Sequence, residues 1–308
     1  MQNFEDWFEK FNAWSFSGHQ LLNRCKRAYY YQHIASALKS SPVFDVSKIK
    51  RLKKDLRSKY VLQGSLVHDA IEDQITQHYF DRNVSQESAQ ESFLKRLRGF
   101  ETCADDLITE YFNGEKSDPA FFENIRPTGI EMLDTFFKIV WPNLKPLEYL
   151  SHEKFDMFIL EGVPVTVKLD YITKSNSGKL VLSDWKTGKE RRESNLQLGA
   201  YVLFAMQKYN TDPENIFSEI IYLASSGRSR PYRFSSDQLD EVKEIVASDF
   251  EIMNASYEIE SFPADPSPQK CITCSFASVC PDSRHKDKVE IIDDPSDPIN
   301  DMLVDIIE

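Results

Sequence analysis

The hydrophobic period of the chain changes once, near residue 150, and that change limits the possible folds more than any other feature. Before it, apolar residues recur at helical spacing. Residues 1–40, with "WFEKFNAWSF" and "LLNRCKRAYYYQHIASAL", read as helical until Pro42 breaks the pattern. In 60–79, Leu62, Leu66, Val67, Ala70 and Ile71 form one apolar stripe. Segments 86–113 and 119–141 continue as amphipathic helices, one opened by a Ser-rich start and the other by "SDP". After residue 150, "KFDMFILEGVPVTVKLDYITKSNSGKLVLSDWKTG" contains three alternating runs divided by Glu161-Gly162 and "KSNSG", which predicts a strand meander. A helix over 194–209, a strand "SEIIYLAS", a partner strand "PYRFS" and a Ser-capped helix in "SSDQLDEVKEIVASDFEIMNAS" follow. From Phe262 the chain is Pro- and Cys-rich and reads as loop.

With 308 residues, 41% of them hydrophobic, the chain can bury a sizeable core. No apolar run approaches the roughly 20 residues that span a bilayer, so no membrane is expected. The opening "MQNFEDWFEKFNAW" has neither the basic-then-apolar order of a secretory signal nor the Arg-rich character of a mitochondrial one, so the expected location is the cytoplasm. The net charge of -12 argues against a general nucleic-acid coat, but its distribution is uneven. Residues 289–308 hold seven acidic residues and no basic one, whereas "KIKRLKKDLRSK", 48–59, packs seven Lys or Arg around one Asp. That basic run is either a solvated helix face or a phosphate-contacting surface.

In "VLSDWKTGK" an apolar run ends with Asp184 and Lys186 two residues apart. On a strand they project to the same side. Taken alone, the pair is a salt bridge at a strand end. Asp170 ends the preceding run "VPVTVKLD", and antiparallel neighbours can bring its carboxylate near Asp184. Two carboxylates converging without compensation repel, and a divalent cation between them removes that penalty. His68 and Glu72 share a helix face, as do Gln197 and Tyr201, each pair four residues apart.

The ordered set "GSLVHDAIE", "EGVPVTVKLDYI", "LSDWKTG" and "QLGAY" resembles the PD-(D/E)XK nucleases of the RecB type, including the CRISPR-adaptation nuclease and AddB-like iron-sulfur nucleases. The likeness runs from "SFSGHQLLNRCKRAYYY" to the last cysteines, with 80–150 and the terminal tail poorly matched; "LD" stands where the name motif has Pro-Asp. It implies an α/β (α+β-like) fold with a restriction-endonuclease-like core, a central mixed sheet flanked by helices. The implied division is a helical region 1–150, a nuclease core 151–260, a Cys-rich segment 261–286 and an acidic tail 287–308. Carried over by position, His68, Asp170 and Asp184 are expected to ligate Mg2+ or Mn2+, with the Trp185 carbonyl as a backbone ligand. Lys186 is the expected catalytic lysine, and Gln197 and Tyr201 match a Q-x-x-x-Y element that orients it. Glu153 in "HEKFD" lies where relatives often carry an acid, on a looser match.

Five cysteines in a reducing compartment are not expected to form structural disulfides. Cys271, Cys274 and Cys280 crowd into "CITCSFASVC", and Cys25 lies near the other end. By spacing alone, such a split site fits zinc or an iron-sulfur cluster, and either requires the two ends of the chain to meet. The resemblance implies a [4Fe-4S] cluster on these four, with zinc as the alternative; Cys103 has no such company.

The expectation is a metal-dependent DNase acting on single strands or frayed ends, with 48–59 and Lys189, Arg191 and Arg192 contacting phosphates. No G-x4-G-K-[ST] loop is present, so duplex substrates call for a helicase partner or a recombination or CRISPR-adaptation complex. The competing expectation is a non-catalytic DNA-binding or assembly subunit that retains the fold. The acidic tail reads as a solvated end, as a peptide for a partner, or as a competitor of DNA for the basic surface.

Overall fold

A computed structural model describes residues 12–80, 84–188 and 195–283. The acidic tail, the extreme N-terminus and the basic residues Lys189, Arg191 and Arg192 therefore lie outside the described residues. Helices of eight or more residues among those described are α1 (Phe16–Arg24), α2 (Val46–Asp55), α3 (Lys59–Tyr79), α4 (Gln86–Thr102), α5 (Pro119–Thr135), α6 (Asn195–Tyr209) and α7 (Ser236–Asn254). Strands β1 (Glu148–Leu160), β2 (Val163–Lys174), β3 (Leu180–Lys186), β4 (Ile216–Tyr222) and β5 (Arg228–Tyr232) form one sheet in the order β1-β2-β3-β4-β5. The sheet is mixed. β1, β2 and β3 are antiparallel, joined by the short loops that the meander pattern predicts, and the β1–β2 turn places Glu161 and Gly162 both at positive φ. β3 and β4 are parallel, which requires the crossover that α6 supplies, and β5 returns antiparallel.

The helix starts follow their capping residues. The Asp45 side chain accepts from the amides of Ser47 and Lys48 at the head of α2, Asp118 caps α5 with Pro119 at its first position, and Ser235 and Gln238 form a reciprocal capping box on α7. On α2, Val46, Ile49 and Leu52 are buried while Lys50, Arg51, Lys53 and Lys54 are exposed, so the basic run is a surface helix face.

Two apolar clusters sandwich the sheet. The first joins Trp14, Tyr29, Tyr30 and Tyr31 to α2, α6 and α7 over Val165, Val167 and Leu169 of β2. The second joins α3, α4 and α5 over Tyr171, Trp185 and Ile221. On β2 the alternation slips between them: Leu169 belongs to the first cluster, Tyr171 to the second and Ile172 to the first again. Asp170 sits at the slip. It also lies well inside its strand, because β2 continues four residues beyond it instead of ending there as the sequence suggests.

Candidate active site

At the slip, β1 and β2 carry a matching irregularity. The ladder pairs His152 with Tyr171 and Lys154 with Leu169, so Glu153 stands opposite Asp170, and its φ of 46° is left-handed backbone inside a strand. A non-glycine residue in that region costs of order 1–3 kcal/mol and is retained where the surroundings enforce it. Here the conformation belongs to an acidic side chain that is only 7% exposed. Helix α3 passes close to the sheet at Gly64, where a Cβ would come within 2.9 Å of the Thr187 hydroxyl oxygen. That approach hangs His68, one turn further along α3, over the two carboxylates.

His68 Nδ1 lies 3.4 Å from Asp170 Oδ1 and 3.5 Å from Glu153 Oε1. One donor atom from each of His68, Glu153 and Asp170 falls within 4.8 Å of the other two, a spacing compatible with a shared metal ion. Burial pushes the Asp170 carboxyl up from its usual range, with Asp184 adding to the shift and His68 opposing it. Burial would lower His68, but Asp170 and Glu153 outweigh it and raise the imidazole. Glu153 Oε1 is buried without a hydrogen-bond donor. A divalent cation suits this set: two carboxylate oxygens are the usual ligands of Mg2+ or Mn2+, the imidazole is a softer donor that Mn2+ accepts more readily than Mg2+, and the ion would satisfy the orphaned oxygen and relieve the crowding of acids.

A second group adjoins the first. Lys186 Nζ lies 2.7 Å from Asp184 Oδ2 and donates to Gln197 Oε1 at 3.0 Å. Gln197 Nε2 donates to the Tyr201 hydroxyl at 2.6 Å and reaches Asp184 Oδ1 at 3.4 Å, and the Tyr201 hydroxyl donates to the Lys168 carbonyl at 2.8 Å. Asp184, Lys186, Gln197 and Tyr201 thus form one connected network anchored to β2. Burial opposes the charge on Lys186, but Asp184 and Asp170 more than restore it, so the ammonium is held in its protonated form.

The sequence-based ligand set is redistributed by this geometry. His68 and Asp170 meet, whereas Asp184 turns toward Lys186 and Gln197, and Glu153 completes the close group. The backbone contact of Trp185 is through its amide, which donates to Asp170 Oδ2 at 2.7 Å and fixes that carboxylate. Lys168, unremarked in the sequence, bonds Glu153 Oε2 at 2.6 Å.

At the far side of the first cluster, Cys25, Cys271, Cys274 and Cys280 all line one cavity of about 140 Å³. The segment around Cys25 and the segment 271–280 meet there. Arg24 donates to the Lys270 carbonyl and the Thr273 hydroxyl, and Arg27 to the Phe262 carbonyl. Asn113 Nδ2 lies within 2.9–3.2 Å of the carbonyls of Cys271, Ile272 and Cys274. Burial pushes the Cys274 thiol up to about 12, with Cys25 and Cys280 contributing. No three of these sulfurs belong to a group within 4.8 Å of one another among the described residues. Cys103 caps the end of α4 and does not line the cavity.

The profile of the PD-(D/E)XK nuclease superfamily matches residues 13–281, which include both the site and the four cysteines. The chain belongs to the PD-(D/E)XK nuclease superfamily. Among solved structures, this nuclease-family chain is similar to a Eubacterium rectale protein named "Putative exonuclease", at 11% identity and a TM-score of 0.46, covering 96% of this chain and 94% of that one. It is also similar to the protein SSO0001, at 15% identity and a TM-score of 0.29, covering 61% and 80%. No curated protein matches its sequence. The mixed sheet with helices on both faces agrees with the restriction-endonuclease-like α/β fold of the family. No helix among the described residues is long and apolar enough to cross a membrane.

Proposed function

We propose that the protein is a Mg2+- or Mn2+-dependent deoxyribonuclease that hydrolyses phosphodiesters in single-stranded or frayed DNA. The observation that carries this reading is the link between two groups: Lys186, held by Asp184 and Gln197, follows Trp185, whose amide holds the Asp170 carboxylate of the His68, Glu153 and Asp170 donor group. His68, Glu153 and Asp170 would hold the cation, with Asp184 on its lysine side. When bound, the cation lowers the pKa of water and stabilises charge growing on phosphate oxygens. The protein's own groups do the rest. Trp185 N–H fixes the Asp170 carboxylate, Gln197 and Tyr201 fix Lys186, and the protonated Lys186 offers a point charge to the scissile phosphate. The exposed basic face of α2 supplies a sequence-independent phosphate contact.

The same reading gives the cysteine cavity a structural [4Fe-4S] cluster. A tetrahedral zinc with thiolates at about 2.3 Å needs sulfurs about 3.8 Å apart. Among the described residues no three of these sulfurs lie within 4.8 Å of one another, a spacing that suits a larger centre better. The competing reading, a binding subunit that retains the fold, is disfavoured because the Lys186 network is complete. Labelled single-stranded DNA, incubated with Mn2+, with chelator and with Lys186→Ala protein, tests the choice. Cleavage is expected in the first case alone, and equal behaviour in all three would sink the enzyme.

A further inference from the structure

Lys168 holds a position in the site that neither the motifs nor the proposed chemistry uses. It lies on β2 two residues before Asp170 and so shares its side of the strand. Its Nζ is 2.6 Å from Glu153 Oε2 and 3.7 Å from Glu72 Oε2, and the ammonium therefore stands between two carboxylates from different elements. Glu153 offers its two oxygens in opposite directions: Oε1 faces His68 and the metal group, and Oε2 faces Lys168. A carboxylate with one oxygen on a metal and the other directed at a second carboxylate is the arrangement that bridges two divalent ions, which stand roughly 3.5–4 Å apart in two-metal phosphodiesterases. In this chain the second place is filled by a lysine. Glu153 has little freedom to turn away, because it is 7% exposed and its backbone is held at φ 46°.

We propose that the Lys168 ammonium is a built-in cation that occupies the place where Glu72 and Glu153 would otherwise hold a second divalent ion, so that the site takes a single metal. The inference rests on the metal-site reading above and adds stoichiometry to it. It also gives Glu72, on the same face of α3 as His68, a role as the outer wall of that place.

The test is Mn2+ binding to the full chain, followed by calorimetry and by electron paramagnetic resonance, with no cleavage assay involved. Wild type is expected to take one ion in the site and show an uncoupled Mn2+ signal. Lys168→Met removes the charge while keeping an unbranched chain of nearly the same length; it should admit a second ion, give the signal of an exchange-coupled pair, and bind the first ion about tenfold tighter because a nearby positive charge is gone. Lys168→Arg should behave as wild type, and Lys168→Met with Glu72→Gln should return to one ion. If Lys168→Met does not fold, as judged by its melting curve, Lys168→Gln carries the same expectation. A coupled pair in the wild type, or one ion at unchanged affinity in the neutral variants, overturns the proposal. His68→Ala is the separate control: if it binds Mn2+ as wild type does, the metal-site reading itself has failed, and the stoichiometry proposal falls with it.

Discussion

Tyr201 links two halves of the site through a single hydroxyl, donating to the Lys168 carbonyl on β2 while accepting from Gln197, whose other end holds Lys186. Burial first, then Asp184 and Asp170, keeps its phenol neutral at any working pH, so it is a permanent donor. Tyr201→Phe should therefore cost about 1–2 kcal/mol of stability from the stranded partners. It should slow single-turnover cleavage roughly tenfold, because the lysine loses its alignment. Full activity in a stable variant would show that the network is decorative. A second titration belongs to the fold and not to the site. His33, stacked on Tyr29 at 4.6 Å, is lowered to about 4 by burial, with Lys53 adding to the shift. The folded pKa lies below the unfolded value near 6.5, so the native state binds fewer protons in that window. Stability is complete above about 6.5 and falls as pH drops toward 4, by no more than about 3 kcal/mol. Comparing unfolding free energies at pH 7 and 4.5 in wild type and His33→Gln isolates this, since the glutamine should remove that share of the difference. At this scale the resemblance, and not spacing alone, singles out His68, Asp170, Asp184, Lys186, Gln197 and Tyr201. Glu153 is offered by the resemblance on a looser match only, because a left-handed residue inside β1 breaks the alternation on which strand reasoning depends, and Lys168 belongs to no motif, although its place two residues before Asp170 follows from alternation on β2.

Among the elements, long periodic segments were the easiest to read and their interruptions the hardest. α3 and the three-strand meander lie where their patterns place them, because period and turn residues agree. The helix expected over 86–113 instead stops at Thr102, and the chain passes through Ile108 in extended conformation. The reason is tertiary: Arg57 N–H donates to the Leu107 carbonyl, and Thr109 N–H donates to the Arg57 carbonyl. Glu110 then receives the Lys59 amide at the head of α3. No local pattern encodes a partner fifty residues away. The crossing of α4 and α5 does leave a trace, in Gly129. A Cβ there would fall 2.1 Å from the Phe93 ring, well inside contact distance. Gly129→Ala gains helix propensity but must displace a buried ring, and the second effect dominates. The expected loss is about 1–3 kcal/mol in denaturant unfolding with Mn2+ affinity unchanged. A gain in stability would mean that the two helices separate easily.

At the scale of the molecule, the N-terminal segment is fastened to the C-terminal one repeatedly. Trp14 Nε1 donates to Asp249 Oδ2 at 2.7 Å, His19 Nδ1 lies 2.6 Å from the same oxygen, and Asn12 reaches the Met253 carbonyl. Arg24 and Arg27 extend these ties to the cysteine loop. The split cysteine pattern already required this meeting of the ends, but it gave no sign that a third region takes part. That region is the stretch 80–150, which carries none of the motif residues, and its contribution is Asn113. Its buried amide approaches three carbonyls of the half-buried C-x2-C turn, adding to the backbone donors that the Cys271 and Cys274 carbonyls already have. A loop that must present sulfurs to a centre gains from having its carbonyls held outward, since a free peptide could rotate an oxygen toward the thiolates. Asn113→Ala should thus lower the unfolding free energy by about 1–3 kcal/mol. On the proposed [4Fe-4S] reading it should also hasten the loss of iron and of visible absorbance when the purified protein is challenged with chelator, while Mn2+ binding at the separate His68 group stays as in wild type. Asn113→Asp is the sharper variant, because it keeps the shape but replaces a donor with a charge facing three oxygens, and it should be worse than alanine on both counts. Equal iron retention in wild type and both variants would mean that the cysteine loop keeps its form without the helical region behind it.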